Sequence, residues 1–360
     1  MRLAWKRKSK AMKIAHDDLV KAALEILEGA GENPESANIV ASILVSADLR
    51  GISTHGVNLL RMIVKRAEAG MLSLPTNVSI VSDDKATAVL DGGDGLGQLC
   101  AYRAMNLAIE KAKLFGLGMV AMRNTNNVGA LGYYVHLAAS KGMAGIMMTN
   151  GNPSMAPFGG IEPFLGTNPV AFGVPSASGM PVMLDMSSSV VARGKIRMAA
   201  LKGEKIPFDW ALDPEGKPTD DPKKAIDGCL LPMGGPKGSG LAIIVDIFAG
   251  ILSGARYSRD LKSFHELEGP TGVGAMCIAI DVARFMPLER FAGLVHQYGA
   301  NIKTCKRRDG VDEILLPGEV ELRKEEKARK EGVDVPEQVV EALNTLLAKK
   351  GSGLSLKPKG

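Results

Sequence analysis

Apolar residues recur at helical spacing through the first seventy positions and break into short runs beyond them. Leu19, Ala23, Ile26 and Leu27 share one face of 16–29, a stretch opened by Asp17 and closed by glycine, which predicts a helix. Ile39, Val40, Ile43, Leu44 and Ala47 repeat the pattern in 34–49, and 56–69 predicts a third helix ending at Gly70. From Val78 the period shortens. Strands are expected at 86–90, 119–122, 145–149, 170–174, 182–186 and 275–281, with helices at 99–115, 131–140, 190–201 and 287–298 between and after them. A loop rich in Asn, Pro and Gly covers 150–169, and Pro207, Pro214, Gly216 and Pro218 mark 202–227 as a polar surface excursion. The apolar run 241–254 predicts a buried helix, 318–332 and 336–347 predict charged helices, and the last residues from Ser352 read as a frayed tail. The pattern is that of an α/β or α+β protein with helical ends around a mixed sheet.

A chain of 360 residues exceeds the usual single core, so two domains or one elaborate one are expected. Aromatics make up only 4% while Met numbers 18 and Gly 42, which calls for an aliphatic, methionine-filled core with many glycine turns. The formal charge of +5 is concentrated in Arg2, Lys6, Arg7, Lys8, Lys10 and Lys13. This basic arm, 1–11, is read as a disordered leader, or as an upstream start ahead of Met12, rather than as a nucleic-acid or lipid contact. Cys100, Cys229, Cys277 and Cys305 are far apart with no C-x-x-C, which argues against a disulfide framework and a cysteine zinc site. No apolar signal core opens the chain, and the longest apolar run contains Asp246; a cytoplasmic protein without membrane or nucleic-acid partners is expected.

The densest chemistry lies in A-D-L-R-G-I-S-T-H-G-V-N-L-L, residues 47–60, where His55 stands between Thr54 and Gly56. Imidazole exchanges protons near neutrality, and a glycine break lets a ligand or another chain segment approach. His55 is therefore either a general acid/base or a loop histidine bonded to backbone. Gly93-Asp94-Gly95-Leu96-Gly97-Gln98 imitates a dinucleotide fingerprint but fails its register, since the third glycine position falls on Gln98 or Cys100 and the next strand ends without a carboxylate. No H-E-x-x-H occurs and the five histidines are scattered, so no metal site is expected. Asn124, Asn126 and Asn127, followed by Gly129, either orient a polar substrate or cap the helix at Leu131; Thr167, before Asn168-Pro169, has the same two readings. Asp185-Met186-Ser187-Ser188-Ser189 ends a strand in a carboxylate and leads three hydroxyls toward a helix start, either an anion site or a plain cap. Lys237, within G-G-P-K-G-S-G, has the same character.

These segments, with R-N-T-N-N-V-G, L-G-T-N-P and L-L-P-G-E in the same order, resemble the malate/L-lactate dehydrogenase family, which lies outside the Rossmann dehydrogenases. The resemblance covers about 12–347. It implies NAD- or NADP-dependent interconversion of a 2-oxo acid and a 2-hydroxy acid, a distinctive cofactor domain with a largely antiparallel sheet, and a homodimer. By the same matching His55 is the catalytic histidine, assisted by Thr54 and Asp185. Asp185, Met186, Ser187, Ser188, Ser189, Val190 and Val191, with Pro236-Lys237 and Pro317-Gly318-Glu319, contact the cofactor. Asn124, Asn126, Asn127, Thr167 and Arg61 are the substrate-side candidates, and Arg193, Lys195 and Arg197 are the cations available to a ribose 2′-phosphate. The implied division is a helical and substrate domain, 12–125 with 285–347, an NAD(P)-binding domain, 126–284, and a flexible tail, 348–360. Two positions depart from the family pattern. S-H-G-x-x-R is replaced by a chain with Leu59 at the arginine, and N-x-N-H by one with Asn127 at the histidine. They leave open a reductase of a cyclic imine or sugar diketo acid on the same fold, or a diverged cofactor binder with little turnover.

Overall fold

The computed structural model describes residues 11–359. In chain order it contains strand β1 (Ala11–Ile14), helices α1 (His16–Ala30), α2 (Pro34–Leu49) and α3 (Leu60–Glu68), strands β2 (Ser79–Asp84) and β3 (Thr87–Asp91), helix α4 (Gly97–Phe115), strand β4 (Leu117–Thr125) and helix α5 (Gly132–Ser140). Strands β5 (Met143–Thr149), β6 (Val170–Val174) and β7 (Val182–Met186) follow, then helix α6 (Arg193–Lys202), strand β8 (Ala211–Leu212), helix α7 (Pro222–Asp227), strand β9 (Cys229–Leu230) and helix α8 (Pro236–Asp246). Strand β10 (Val273–Asp281), helices α9 (Leu288–Lys303) and α10 (Glu319–Glu331), strand β11 (Val333–Pro336) and helix α11 (Glu337–Lys349) complete the chain.

The central sheet has seven strands in the order β2-β3-β4-β10-β5-β6-β7. Only β3 and β4 run parallel, joined through α4; every other pair is antiparallel. This is the mixed, largely antiparallel sheet that was expected, and its order is not that of a doubly wound dinucleotide fold. Helix α4 lies so close to β4 that a Cβ on Gly118 would meet the Ala108 carbonyl oxygen at 1.9 Å. The sheet draws β2–β4 from one side of residue 125 and β5–β7 and β10 from the other, so it crosses the expected domain division.

Two apolar cores meet along α2. One joins α1, α2, α3 and α11 with the β1–β11 pair; the other lies between the sheet and α4 and α5. Asn33 caps α2 by accepting the Ser36 N–H at 2.9 Å, and Pro34 occupies its first turn. Eleven of the sixteen residues of α2 are buried, which makes it the rigid post from which the histidine turn hangs.

Several expectations change. The helix expected from 56 is two 3₁₀ turns, Ser53–His55 and Val57–Leu59, ahead of α3. Strand β2 was not anticipated because all six of its side chains are exposed and carry no alternation. The run 241–254 is not one buried helix: α8 passes into a π turn at Ile247–Ile251, and Ile244, Ile251 and Leu252 are exposed. The tail is docked rather than frayed, since Leu356 is buried and exchanges bonds with the Asn344 amide at 2.8 and 3.1 Å. Of the basic arm, 1–10 lie outside the described residues, while Ala11 opens β1.

Candidate active site

The histidine turn grows from the C-terminus of α2. Arg50 and Gly51 end the helix, Ile52 donates back to the Ala47 carbonyl at 2.8 Å, and the two 3₁₀ turns follow. Asp48, one residue before the end of α2 and buried, accepts the Val57 N–H on Oδ2 at 2.7 Å. Burial pushes its carboxyl up to about 7, with the Val57 bond opposing. Half-buried His55 faces the Thr54 hydroxyl through Nδ1 at 3.0 Å, which leaves Nε2 without a hydrogen bond among the described residues. Desolvation, and then the nearby His265, lower the imidazole pKa.

Two distant segments flank this turn. The loop after residue 262 is held by Arg66, a side chain with no exposed surface. Its Nη1 donates to the Glu266 carbonyl and its Nη2 to the Gly269 carbonyl, both at 2.6 Å, while its guanidinium lies 5.6 Å from the Phe264 ring. That anchor places His265 beside His55. The sequence reading missed both residues, because they lie about two hundred positions apart and neither sits in a motif. The start of α6 forms the other flank: a Cβ on Gly194 would stand 3.4 Å from Thr54 Cγ2. Arg193 donates to the Ile226 carbonyl at 2.7 Å, and the charge of Arg197 adds to burial in lowering the pKa values of His265 and Arg193.

A cavity of about 220 Å³ opens behind the same turn, walled by Ala47, Arg50, Ile52, Gly132, Asp185, Pro317 and Gly318. Asp185 accepts the Gly132 N–H at 2.7 Å, and burial raises its pKa against that bond and the field of Arg50. No hydrogen bond joins Asp185 to His55 among the described residues. The Arg50 side chain spends Nε on Glu325 at 2.9 Å and makes no other hydrogen bond among the described residues. The Pro317 carbonyl accepts from Met183 at 3.1 Å, whereas Glu319 is engaged by Lys303 and by the Leu316 N–H.

The two stretches read as anion-friendly come together elsewhere along this face. Ser188 binds the Thr167 carbonyl through both its N–H and its hydroxyl, at 2.8 and 2.7 Å, and its own carbonyl accepts from Met233. Val190 bonds to the Leu231 carbonyl, Ser187 and Ser189 share a hydroxyl contact at 3.1 Å, Val191 is buried, and Met186 ends β7. Lys237 is exposed in the first turn of α8. Helices α6 and α8 both start without a side-chain cap, at Ala192 and Gly235.

The asparagine cluster is occupied with backbone and with the Asp91 carboxylate. Asn124 donates to Asp91 at 2.8 Å; Asn126, 1% exposed, donates to the Asp94 and Gly95 carbonyls and accepts from Thr271; Asn127 accepts the Gly129 N–H at 2.9 Å. Arg61 is exposed on α3 away from any partner among the described residues, while Leu59 is buried in the helical core. A leucine there fills apolar space that a guanidinium could enter only with new partners. Among the described residues no three His, Cys, Asp or Glu side chains converge as a metal site would require, and no helix is long and apolar enough to cross a membrane.

Comparison with known proteins gives the same answer along nearly the whole chain. The family model for malate/L-lactate dehydrogenase matches residues 14–344. The chain is similar to malate dehydrogenase of Pyrococcus abyssi, 39% identical over 348 residues covering 94% of this chain and 95% of the relative. It is 40% identical to L-sulfolactate dehydrogenase of Methanocaldococcus jannaschii over 326 residues, 91% of this chain and 94% of that one. The solved structure of the M. jannaschii sulfolactate dehydrogenase superposes with a TM-score of 0.90 at 38% identity, covering 95% of this chain and 98% of that one. Relatives named for NAD(+) and for NADP(+) both occur. This chain belongs to the malate/L-lactate dehydrogenase family and is an NAD(P)-dependent oxidoreductase of the 2-hydroxy acid/2-oxo acid class.

Proposed function

We propose that the protein interconverts a malate- or sulfolactate-like 2-hydroxy acid and its 2-oxo acid, with His55 as the proton donor in reduction and acceptor in oxidation. The observation that carries this reading is the placement of His55: a half-buried imidazole with a lowered pKa, near His265 and beside the start of α6, with Nδ1 turned to Thr54 and Nε2 making no hydrogen bond among the described residues. When bound, NAD(P) supplies or takes up the hydride. The residues present fit such a dinucleotide. The cavity pairs apolar walls from Ile43 and Met183 with Arg50 and Asp185, and the uncapped start of α6 leaves the Arg193 and Gly194 N–H groups without a partner among the described residues, of the kind that favour phosphates. At about 220 Å³ the cavity suits one end of the cofactor, below the ~300 Å³ at which pockets for whole ligands begin. Asp185, Pro317, Gly318 and the 187–191 and 236–237 segments would hold it.

His55 gives up its proton from Nε2, and the Thr54 contact keeps the ring in one orientation. A substrate with two acid groups would meet the guanidiniums of Arg193 and Arg197 in place of the arginine that leucine replaces at position 59, while His265 is held toward its neutral form by burial and by Arg197. Because the imidazole pKa is lowered, its charged donor form is confined to the acid side of its ordinary range. Reduction at subsaturating substrate should therefore weaken as pH rises past this lowered midpoint and on through neutrality, while oxidation gains only up to the midpoint and is level above it. Four free cysteines, three of them buried, suit work in the cytoplasm. A homodimer is the proposed assembly, closed over the exposed Ile244, Ile251 and Leu252. The test is turnover of oxaloacetate and sulfopyruvate with NADH and NADPH across pH; reduction that strengthens toward acid supports the reading. A flat profile contradicts it.

A further inference from the structure

We propose that Asp48 is a positioning residue for His55: its carboxylate grips the backbone just after the histidine and so fixes where the ring points. The inference rests on the acid/base reading of His55. Three observations carry it. The 3₁₀ turn Ser53–His55 has no buried residue of its own, so although Thr54 orients the ring, nothing within the turn fixes the turn itself in place. Asp48 belongs to α2, the most deeply seated helix at this end of the molecule, and the single hydrogen bond of its side chain among the described residues reaches the Val57 N–H at 2.7 Å. That bond carries the rigidity of α2 across the turn to a point two residues beyond His55.

Gly56 supplies the third observation. Its backbone, at φ −93° and ψ −153°, needs no glycine for conformation. Space is what excludes a side chain: a Cβ there would lie 2.2 Å from the carboxyl carbon and from both oxygens of Asp48. The carboxylate is thus wedged against the chain on one side and bonded to it on the other. No cation pairs with it among the described residues. A buried, unpaired acid is an expensive way to hold a turn, and an uncharged acceptor would hold the backbone at less cost in stability. Its use here is the exact seat it gives to a side chain that moves protons, where a displacement of about 1 Å can cost about 100-fold in rate.

The test compares Asp48→Ala, Asp48→Asn and Gly56→Ala with wild type. It measures kcat, the cofactor KM, and the titration of the His55 ring by NMR, with the ring signal assigned by its loss in His55→Gln. Asp48→Ala should lower kcat by about 10- to 100-fold with cofactor KM within about two-fold, and should move the His55 midpoint up toward that of a free imidazole. Asp48→Asn keeps an oxygen for the Val57 N–H and should restore both kcat, to within about five-fold, and the midpoint. Gly56→Ala should behave as Asp48→Ala, because its Cβ displaces the carboxylate. A folded Asp48→Ala with wild-type kcat and titration overturns the proposal, as does an Asp48→Asn no better than the alanine. If Asp48→Ala does not fold, Gly56→Ala with wild-type kcat and midpoint overturns it. Undiminished kcat in His55→Gln would sink the acid/base reading instead, and the ring titrations would still judge the placement.

Discussion

Asp48→Asn should make the protein more stable in mild alkali and leave it nearly unchanged in acid. The Asp48 carboxyl ionises at about 7, against about 3.8 for the same group in an unfolded chain, because burial disfavours its charge. That gap is about three units at about 1.4 kcal/mol each, so the ionised residue costs the folded state at most about 4 kcal/mol. Between the two values the folded protein holds a proton that the unfolded chain has released. Stability therefore falls as pH rises through that window and levels off above it. Asparagine carries no charge at any pH and still accepts the Val57 N–H, though through a neutral bond weaker by about 1 kcal/mol. The net gain should be about 2–3 kcal/mol near pH 8, closing to within about 1 kcal/mol near pH 4. Urea unfolding of both proteins at one concentration, stepped across this range, measures the difference directly. Curves that stay parallel would refute the reasoning, since they would mean that Asp48 titrates alike in the folded and unfolded chains.

Other expectations follow from single contacts. Arg66→Met frees the Glu266 and Gly269 carbonyls, which should cost about 2–4 kcal/mol and open the loop after residue 262 to limited proteolysis; a loop as resistant as in wild type would exclude an anchoring role. Ile251→Asp, on the exposed apolar stretch after α8, should convert the proposed dimer into monomer by light scattering, with the fold retained by circular dichroism. A dimer that survives the substitution would place the subunit contact elsewhere.

The contiguous parts of the site were legible and the assembled parts were not. A-D-L-R-G-I-S-T-H-G could be read as a unit because its histidine, glycine and helix end lie within ten residues, and the glycine break was recognised as a place of close approach. What approaches is the motif's own Asp48 carboxylate, which periodicity counts only as one polar position in an apolar helix. Arg66 and His265 carried no signal because their meaning depends on a loop two hundred residues away folding back onto α3. The asparagine cluster shows the opposite effect: three amides beside a glycine advertise binding, yet in the fold Asn126 and Asn127 satisfy the backbone of a tight corner and Asn124 bonds the Asp91 carboxylate. In the sheet, strands with a buried face announced themselves, whereas β2, exposed throughout, did not. The β1–β11 pair joins segments at opposite ends of the chain, which local pattern cannot connect.

The most direct test of the central claim is the rate of 2-oxo acid reduction by His55→Ala beside wild type. It is followed by loss of the reduced nicotinamide's near-ultraviolet absorbance, with cofactor binding checked by fluorescence. The account predicts a loss in kcat of about 10²- to 10⁴-fold while the cofactor still binds. A variant that binds the cofactor and reduces oxaloacetate or sulfopyruvate at the wild-type rate would contradict it.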